Sequence, residues 1–281
     1  VLSDKYVKGN ALFISTPNGH NWFYHLYQKG KENPEEYDVF QFTTLDGGNV
    51  LPEEIESARR DMSPKMFAQE YLASFETLSN RVYESFDRIE NTCEVEDWWG
   101  RSGDIHVGID FNVNPMTAAI AVESGGDIIF FDEIVEPNSS TQVLCDMIKR
   151  RYPKAHIFAY PDPTGKKRQT SARVGESDFT IIRANRFTLC APNAPYSSRD
   201  KFNSFNTALL NAKGERHVFI ARNTCPKLKA ALEGYCYKEG GNDTDKSQGY
   251  DHITDAAAYL VAYKKPIRTR WTLNRPRVFG Y

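Results

Sequence analysis

Three apolar runs at hairpin spacing constrain this chain more than any other feature: DIHVGIDF from Asp104, TAAIAVES from Thr117 and DIIFFDEIV from Asp127, separated by Asn114-Pro115 and Gly125-Gly126. Turn residues between runs of this kind predict a three-stranded antiparallel meander. The pattern then alternates. SSTQVLCDMIKRRY carries helical periodicity behind a serine cap, HIFAY reads as a buried strand and FTIIRA as another short strand. Helices are expected over residues 197–212, 225–235 and 251–263. A meander followed by alternating helices and strands is an α/β fold with a mixed sheet.

The amino-terminal part has a different character. ALFIS (Ala11 to Ser15) reads as a strand ended by Thr16-Pro17-Asn18-Gly19, NWFYHLYQKG as an amphipathic helix closed by Gly30, and VFQFTTL as a second strand. Helices should start near Pro52 and behind Ser63 as N-cap, with Pro64 at the first position. Such a set cannot close a domain alone. From Thr77 to Gly103 the chain is polar and acidic, with Trp98-Trp99 as its apolar anchor, and reads as a linker or docking segment. The expected division is therefore 1–78, a linker over 79–103, a main domain over 104–263 and a basic tail over 264–281. The chain opens VLSDKYVKG without an initiator Met, which predicts a fragment of something longer.

Five scattered cysteines with no C-x-x-C spacing argue against a disulfide framework or a thiolate zinc site, and a reducing, intracellular setting is expected. No apolar run is long enough to span a bilayer. The net charge of −2 hides an uneven distribution. Lys166, Lys167, Arg168 and Arg173 cluster in one segment, and Lys264, Lys265, Arg268, Arg270, Arg275 and Arg277 crowd an acid-free tail; both suit a polyanion, and both also suit a solvated loop or end.

The acids are more telling. Asp110 ends the first strand of the meander, and Asp162, between Pro161 and Pro163, ends HIFAYPD. Sites in α/β sheets lie beyond the carboxyl ends of strands, so the two converge if their strands are adjacent and parallel. A third group comes from GYDHITDAAAYLVAYKK, where Asp251, His252 and Asp255 share one edge of a helix. Each acid alone has a bland reading as turn chemistry, or for Asp251 as an N-cap. Asp255 resists it, because the alanines after it imply close packing and a carboxylate near a core needs a partner or a metal. Oxygen-rich clusters of this kind suit Mg²⁺ or Mn²⁺, and two such ions support phosphodiester cleavage. His252 could orient Asp255, move a proton or contact a phosphate.

Taken in order, GIDFNVNPMTAAIAV, AYPDPTG and DHITDAAAYL resemble the three acidic motifs of the nuclease domain of tailed-bacteriophage large terminases. VLSDKYVKGNALFISTPNGHNWFYHLY and FAQEYLASFET resemble the end of the ATPase domain of the same proteins. The resemblance implies an RNase H-like mixed sheet flanked by helices, preceded by the carboxyl-terminal part of a P-loop-type ATPase domain. It makes Asp110, Asp162 and Asp255 a metal triad for Mg²⁺ or Mn²⁺, two ions in all, with His252 auxiliary and Asp251 a further candidate ligand. Lys166, Lys167, Arg168 and Arg173 would hold DNA, and Ser15 and Thr16, with Pro17, would match the ATPase coupling motif. No G-x-x-x-x-G-K-[S/T] is present, so ATP would be used only by a full-length motor. The implied function is metal-dependent cutting of concatemeric DNA during packaging in the host cytoplasm, with double-stranded DNA, the portal and the small terminase subunit as partners, no membrane, and oligomers only on the assembled motor. Alternatives are another RNase H-like nuclease, a transposase or junction resolvase, and a non-catalytic motor-to-portal module.

Overall fold

The computed structural model describes residues 10–17, 22–75, 81–94, 96, 102–166, 177–192, 194–238 and 243–267. By contacts the chain forms two units, residues 1–56 with 65–78, and residues 57–64 with 79–281.

The first unit contains α1 (Trp22–Glu32) and α3 (Pro64–Tyr71), with α2 (Pro52–Asp61) between them in the chain. Phe23, Tyr24 and Tyr27 of α1 surround Phe75. The two strands expected here are not formed. Residues 11–17 and 38–43 are irregular, and Leu12, Ile14, Phe40 and Phe42 are exposed. A strand needs a neighbour to take up its backbone groups, and no described segment lies beside either run in a ladder.

In the second unit come β1 (Thr92–Cys93), β2 (Gly103–Asp110), β3 (Met116–Ser124), β4 (Asp127–Glu136), α4 (Thr141–Arg151), β5 (Ala155–Pro161), α5 (Asp178–Ala184), β6 (Thr188–Leu189), α6 (Ser198–Leu209), β7 (Val218–Ala221), α7 (Pro226–Gly234) and α8 (Tyr250–Lys264). The described strands form one sheet in the order β1-β7-β4-β3-β2-β5-β6. The meander is present, with β3 antiparallel to both β2 and β4, while β5 lies parallel to β2 and β7 parallel to β4.

Alternation along β2 divides the core. Ile105, Val107 and Ile109 join one apolar cluster with Leu144, Cys145 and Ile148 of α4 and Ile182 of α5. The even positions face α8, which packs on β2 together with α6 and α7 on that side of the sheet. Gly108 marks the closest approach: a Cβ there would lie 1.9 Å from the Ala256 carbonyl oxygen. The alanines Ala256, Ala257 and Ala258 are all buried. Helix and sheet therefore meet backbone to backbone.

FTIIRA is a helix rather than the expected strand. Ser177 accepts from the Thr180 backbone at 3.3 Å while the Thr180 hydroxyl accepts from Ser177 N at 2.8 Å, and Phe179 and Ile182 are buried at helical spacing. This reciprocal cap overrides the β-branched composition. Ser177→Ala should lower stability by about 1 kcal/mol in a urea titration. The 79–103 stretch belongs to the second unit: Val82, Tyr83 and Phe86 are in its core and Thr92–Cys93 is an edge strand. Trp98 and Trp99 lie outside the described residues.

Candidate active site

Parallel pairing of β2 with β5 puts Ile109 opposite Pro161, and Asp162 N donates to the Ile109 carbonyl at 2.9 Å. Asp110 and Asp162 therefore leave the sheet side by side, at the carboxyl ends of adjacent strands. Both follow residues that face α8, Gly108 in β2 and Tyr160 in β5. The start of α8 closes over the same end. Its N-cap is Gly249, in the left-handed region at φ 65°, so Asp251 is not the cap but lies inside the first turn. Thr117 on β3 donates its hydroxyl to the His252 carbonyl at 2.9 Å, fastening this turn to the sheet.

The acids and the imidazole are brought together. His252 Nδ1 lies 3.2 Å from Asp110 Oδ2, and Asn112 Nδ2 lies 3.2 Å from the same ring nitrogen. Asp162 Oδ1 accepts from Thr164 N at 2.8 Å, in the turn that carries Lys166. Asp255 Oδ1 accepts from Lys201 Nζ at 2.8 Å. Asp251 is buried; its Oδ2 is 3.1 Å from Lys246 Nζ, and its Oδ1 has no hydrogen-bond partner, with His252 Nε2 3.9 Å away. Burial pushes the Asp110 carboxyl up from 3.8 to about 6; the His252 hydrogen bond opposes this, and the charges of Asp255 and Asp162 add to it. Burial, followed by the charges of Asp255, Asp162 and Asp110, holds the Tyr259 phenol well above its ordinary range.

The raised Asp110 value has a defined sign. Between pH 4 and 6 the folded chain binds a proton there that the unfolded chain does not, so this group makes stability fall as pH rises through that window. In chelator at pH 7, Asp110→Asn should therefore stabilise the chain by roughly 1–3 kcal/mol, a rise of several degrees in Tm, and the gain should vanish near pH 4. Differential scanning calorimetry at the two pH values checks this.

Hard carboxylate oxygens at one end of the sheet, one raised Asp and one buried Asp251 oxygen without a hydrogen bond fit a divalent cation in chemistry. Their present spacing is looser: among the described residues, no three His, Cys, Asp or Glu are grouped closely enough to hold one ion. Asp110, Asp162 and Asp255 each engage a protein group. Surface depressions of about 590 Å³ beside Val143 and Lys149 and about 350 Å³ beside Arg88 and Arg222 lie elsewhere and contain none of these acids.

Lys166 is exposed, one turn beyond Asp162, whereas Lys167, Arg168 and Arg173 lie outside the described residues. Ser15 and Thr16 are exposed in the first unit, where the Ser15 hydroxyl donates to the Thr16 carbonyl at 3.1 Å. Lys264 pairs with Glu123 and Lys265 donates to the Gly126 carbonyl at 2.7 Å, so the first two residues of the expected tail anchor the end of α8 to the β3–β4 hairpin. Arg268, Arg270, Arg275 and Arg277 lie outside the described residues. Four neighbours were not read from sequence: Asn112, Lys201, Lys246 and Tyr259. Only Lys201 left a signal, as a lysine on the buried stripe of α6 with Phe205 and Ala208.

A mixed sheet with carboxylates at the ends of two parallel strands and on a helix packed across them defines an RNase H-like domain. Residues 107–264 match the terminase RNaseH-like domain family, and the chain belongs to that family. It is similar to the terminase large subunit of Escherichia phage T5, with 30% identity over 119 residues, 40% of this chain and 27% of the relative. Its fold resembles the large terminase of a thermophilic bacteriophage, with a TM-score of 0.61 at 17% identity, covering 88% of this chain and 60% of that one. The same thermophilic phage protein in complex with ATP-gamma-S matches with a TM-score of 0.63 at 16% identity, over 88% of this chain and 61% of that one. The chain thus spans about a quarter of the T5 relative and three fifths of the thermophilic phage protein. Among the described residues, no helix is long and apolar enough to cross a membrane.

Proposed function

We propose that this chain is the nuclease-bearing part of a large terminase, a metal-dependent endonuclease that cuts concatemeric DNA as a viral genome is packaged. The observation that carries the reading is the convergence of Asp110, Asp162 and Asp255 from two adjacent parallel strand ends and the start of α8. Asp110, Asp162 and Asp255 would hold Mg²⁺ or Mn²⁺, two ions in all, with Asp251 as a further oxygen donor. Bound there, such ions supply an activated water and charge neutralisation at the leaving oxygen. His252 orients Asp110 through Nδ1 and is the group placed to hold a proton beside it. Lys166, with Lys167, Arg168 and Arg173, holds the phosphate backbone without reading bases.

The first unit is proposed as the end of the ATPase domain, with Ser15 and Thr16 coupling ATP hydrolysis to movement in a full-length motor. Double-stranded DNA, the portal and the small subunit are its proposed partners, and the host cytoplasm its setting. A second reading, a motor-to-portal module with a silent site, draws on the Lys201 ammonium seated on Asp255. Incubating the chain in Mg²⁺ with plain duplex, a four-way junction and no metal distinguishes the possibilities. Cleavage of plain duplex supports the terminase reading, a strict junction preference a resolvase, and no cleavage of any substrate the silent site.

A further inference from the structure

We propose that Lys201 is a built-in counter-ion of the carboxylate cluster, an ammonium that neutralises Asp255 until a divalent cation displaces it, and that it thereby sets the metal concentration at which the site loads. The inference rests on the metal-dependent reading above and goes beyond it to how the site is regulated.

Lys201 reaches the cluster from α6, an element separate from the strands and helix that carry the acids. Its side chain is only 7% exposed, and Nζ lies 2.8 Å from Asp255 Oδ1. A lysine on the buried stripe of a helix, beside Phe202 and Phe205, carries a desolvation cost that a well-placed partner must offset. Asp255 is that partner. The acid in turn lies among like charges, so the ammonium relieves repulsion that the metal would otherwise relieve. Lys246 is different, because it meets Asp251 from solvent and its side chain is 64% exposed.

Two cations on one carboxylate repel, more strongly where water is scarce. Loading the triad therefore requires Asp255 to exchange its ammonium for the ion. In this same position Nζ also lies 4.4 Å from the centre of the Tyr259 ring, a contact that favours a cation and adds to its hold on the place beside Asp255. At low metal concentration Asp255 stays paired with its ammonium and the triad does not load.

The test is Mn²⁺ titration, followed by electron paramagnetic resonance of free Mn²⁺, on wild-type and Lys201→Met chains. The variant keeps most of the aliphatic stem and loses the charge. It should bind Mn²⁺ at least about tenfold more tightly. Without metal it should melt at a lower temperature than wild type, and Mn²⁺ should restore it. A second measurement needs no variant: in chain labelled with ¹⁵N-lysine, the slowly exchanging Nζ signal of the buried ammonium should shift or vanish as Mg²⁺ is added. Unchanged affinity in Lys201→Met, or an Nζ signal unmoved at saturating Mg²⁺, overturns the proposal. Weaker Mn²⁺ binding by the variant also overturns it, because the ammonium would then be orienting Asp255 for the ion. A folded wild type that binds neither ion overturns the metal-dependent reading itself, and the proposal with it.

Discussion

Asp110→Asn is expected to lower metal-dependent DNA cleavage by at least about a thousandfold while leaving the chain folded, the scale of losing about 4 kcal/mol of transition-state stabilisation. Asparagine matches aspartate in shape and can still meet His252, so the strand end and the first turn of α8 keep their places. The charge is what disappears. Asp110 is an acid whose burial disfavours ionisation, and it stands next to His252 and within the field of Asp255 and Asp162. On the proposed reading the site loses a ligand for its divalent cation, whereas the metal-free fold loses a destabilising group. Opposite effects on activity and stability at pH 7 are the signature to look for. Initial rates of plasmid nicking in Mn²⁺ supply the first, and a residual rate within tenfold of wild type would contradict it.

The second large effect is structural. Gly108→Ala should destabilise the second unit by at least about 3 kcal/mol, beyond the usual cost of overpacking a core. The new methyl would lie 1.9 Å from the Ala256 oxygen, 2.8 Å from its carbon and 3.3 Å from Leu260 Cβ. Two of those three atoms are backbone, which cannot rotate aside. Relief requires α8 to move off β2, and α8 carries Asp251, His252 and Asp255. Stability and cleavage should therefore fall together, unlike Asp110→Asn, which separates them. Denaturant unfolding with unchanged m-value measures the cost, and a loss under about 1 kcal/mol would mean that helix and sheet do not meet this closely.

What was legible in the sequence followed from periodicity within one element. Strands β2, β3 and β4 are long enough for apolar alternation between turn residues to identify them, and Asp110 and Asp162 are visible as acids where such runs stop. Asp255 stood out through the alanines behind it, which are all buried, Ala256 against Gly108 of the sheet. Local chemistry misled at FTIIRA, where the Ser177 and Thr180 caps outweigh two adjacent isoleucines. β1 and β7, at two and four residues, are too short to show a period. ALFIS and VFQFTTL have strand composition, but a strand is a property of a pair, and composition cannot supply the partner. Lys201 belongs to the same class: that the stripe of α6 points its lysine at Asp255 depends on helix packing between segments far apart in the chain.

If Asp110, Asp162 and Asp255 form one metal-dependent cutting site, supercoiled plasmid incubated with the purified chain in Mn²⁺ reveals it most directly, beside EDTA controls and the Asp162→Asn and Asp255→Asn chains. Nicked and then linear DNA is expected with wild type in Mn²⁺, and intact plasmid in EDTA and with either folded variant. Plasmid left intact by folded wild type in Mn²⁺, or cut at the wild-type rate by either variant, would contradict the site.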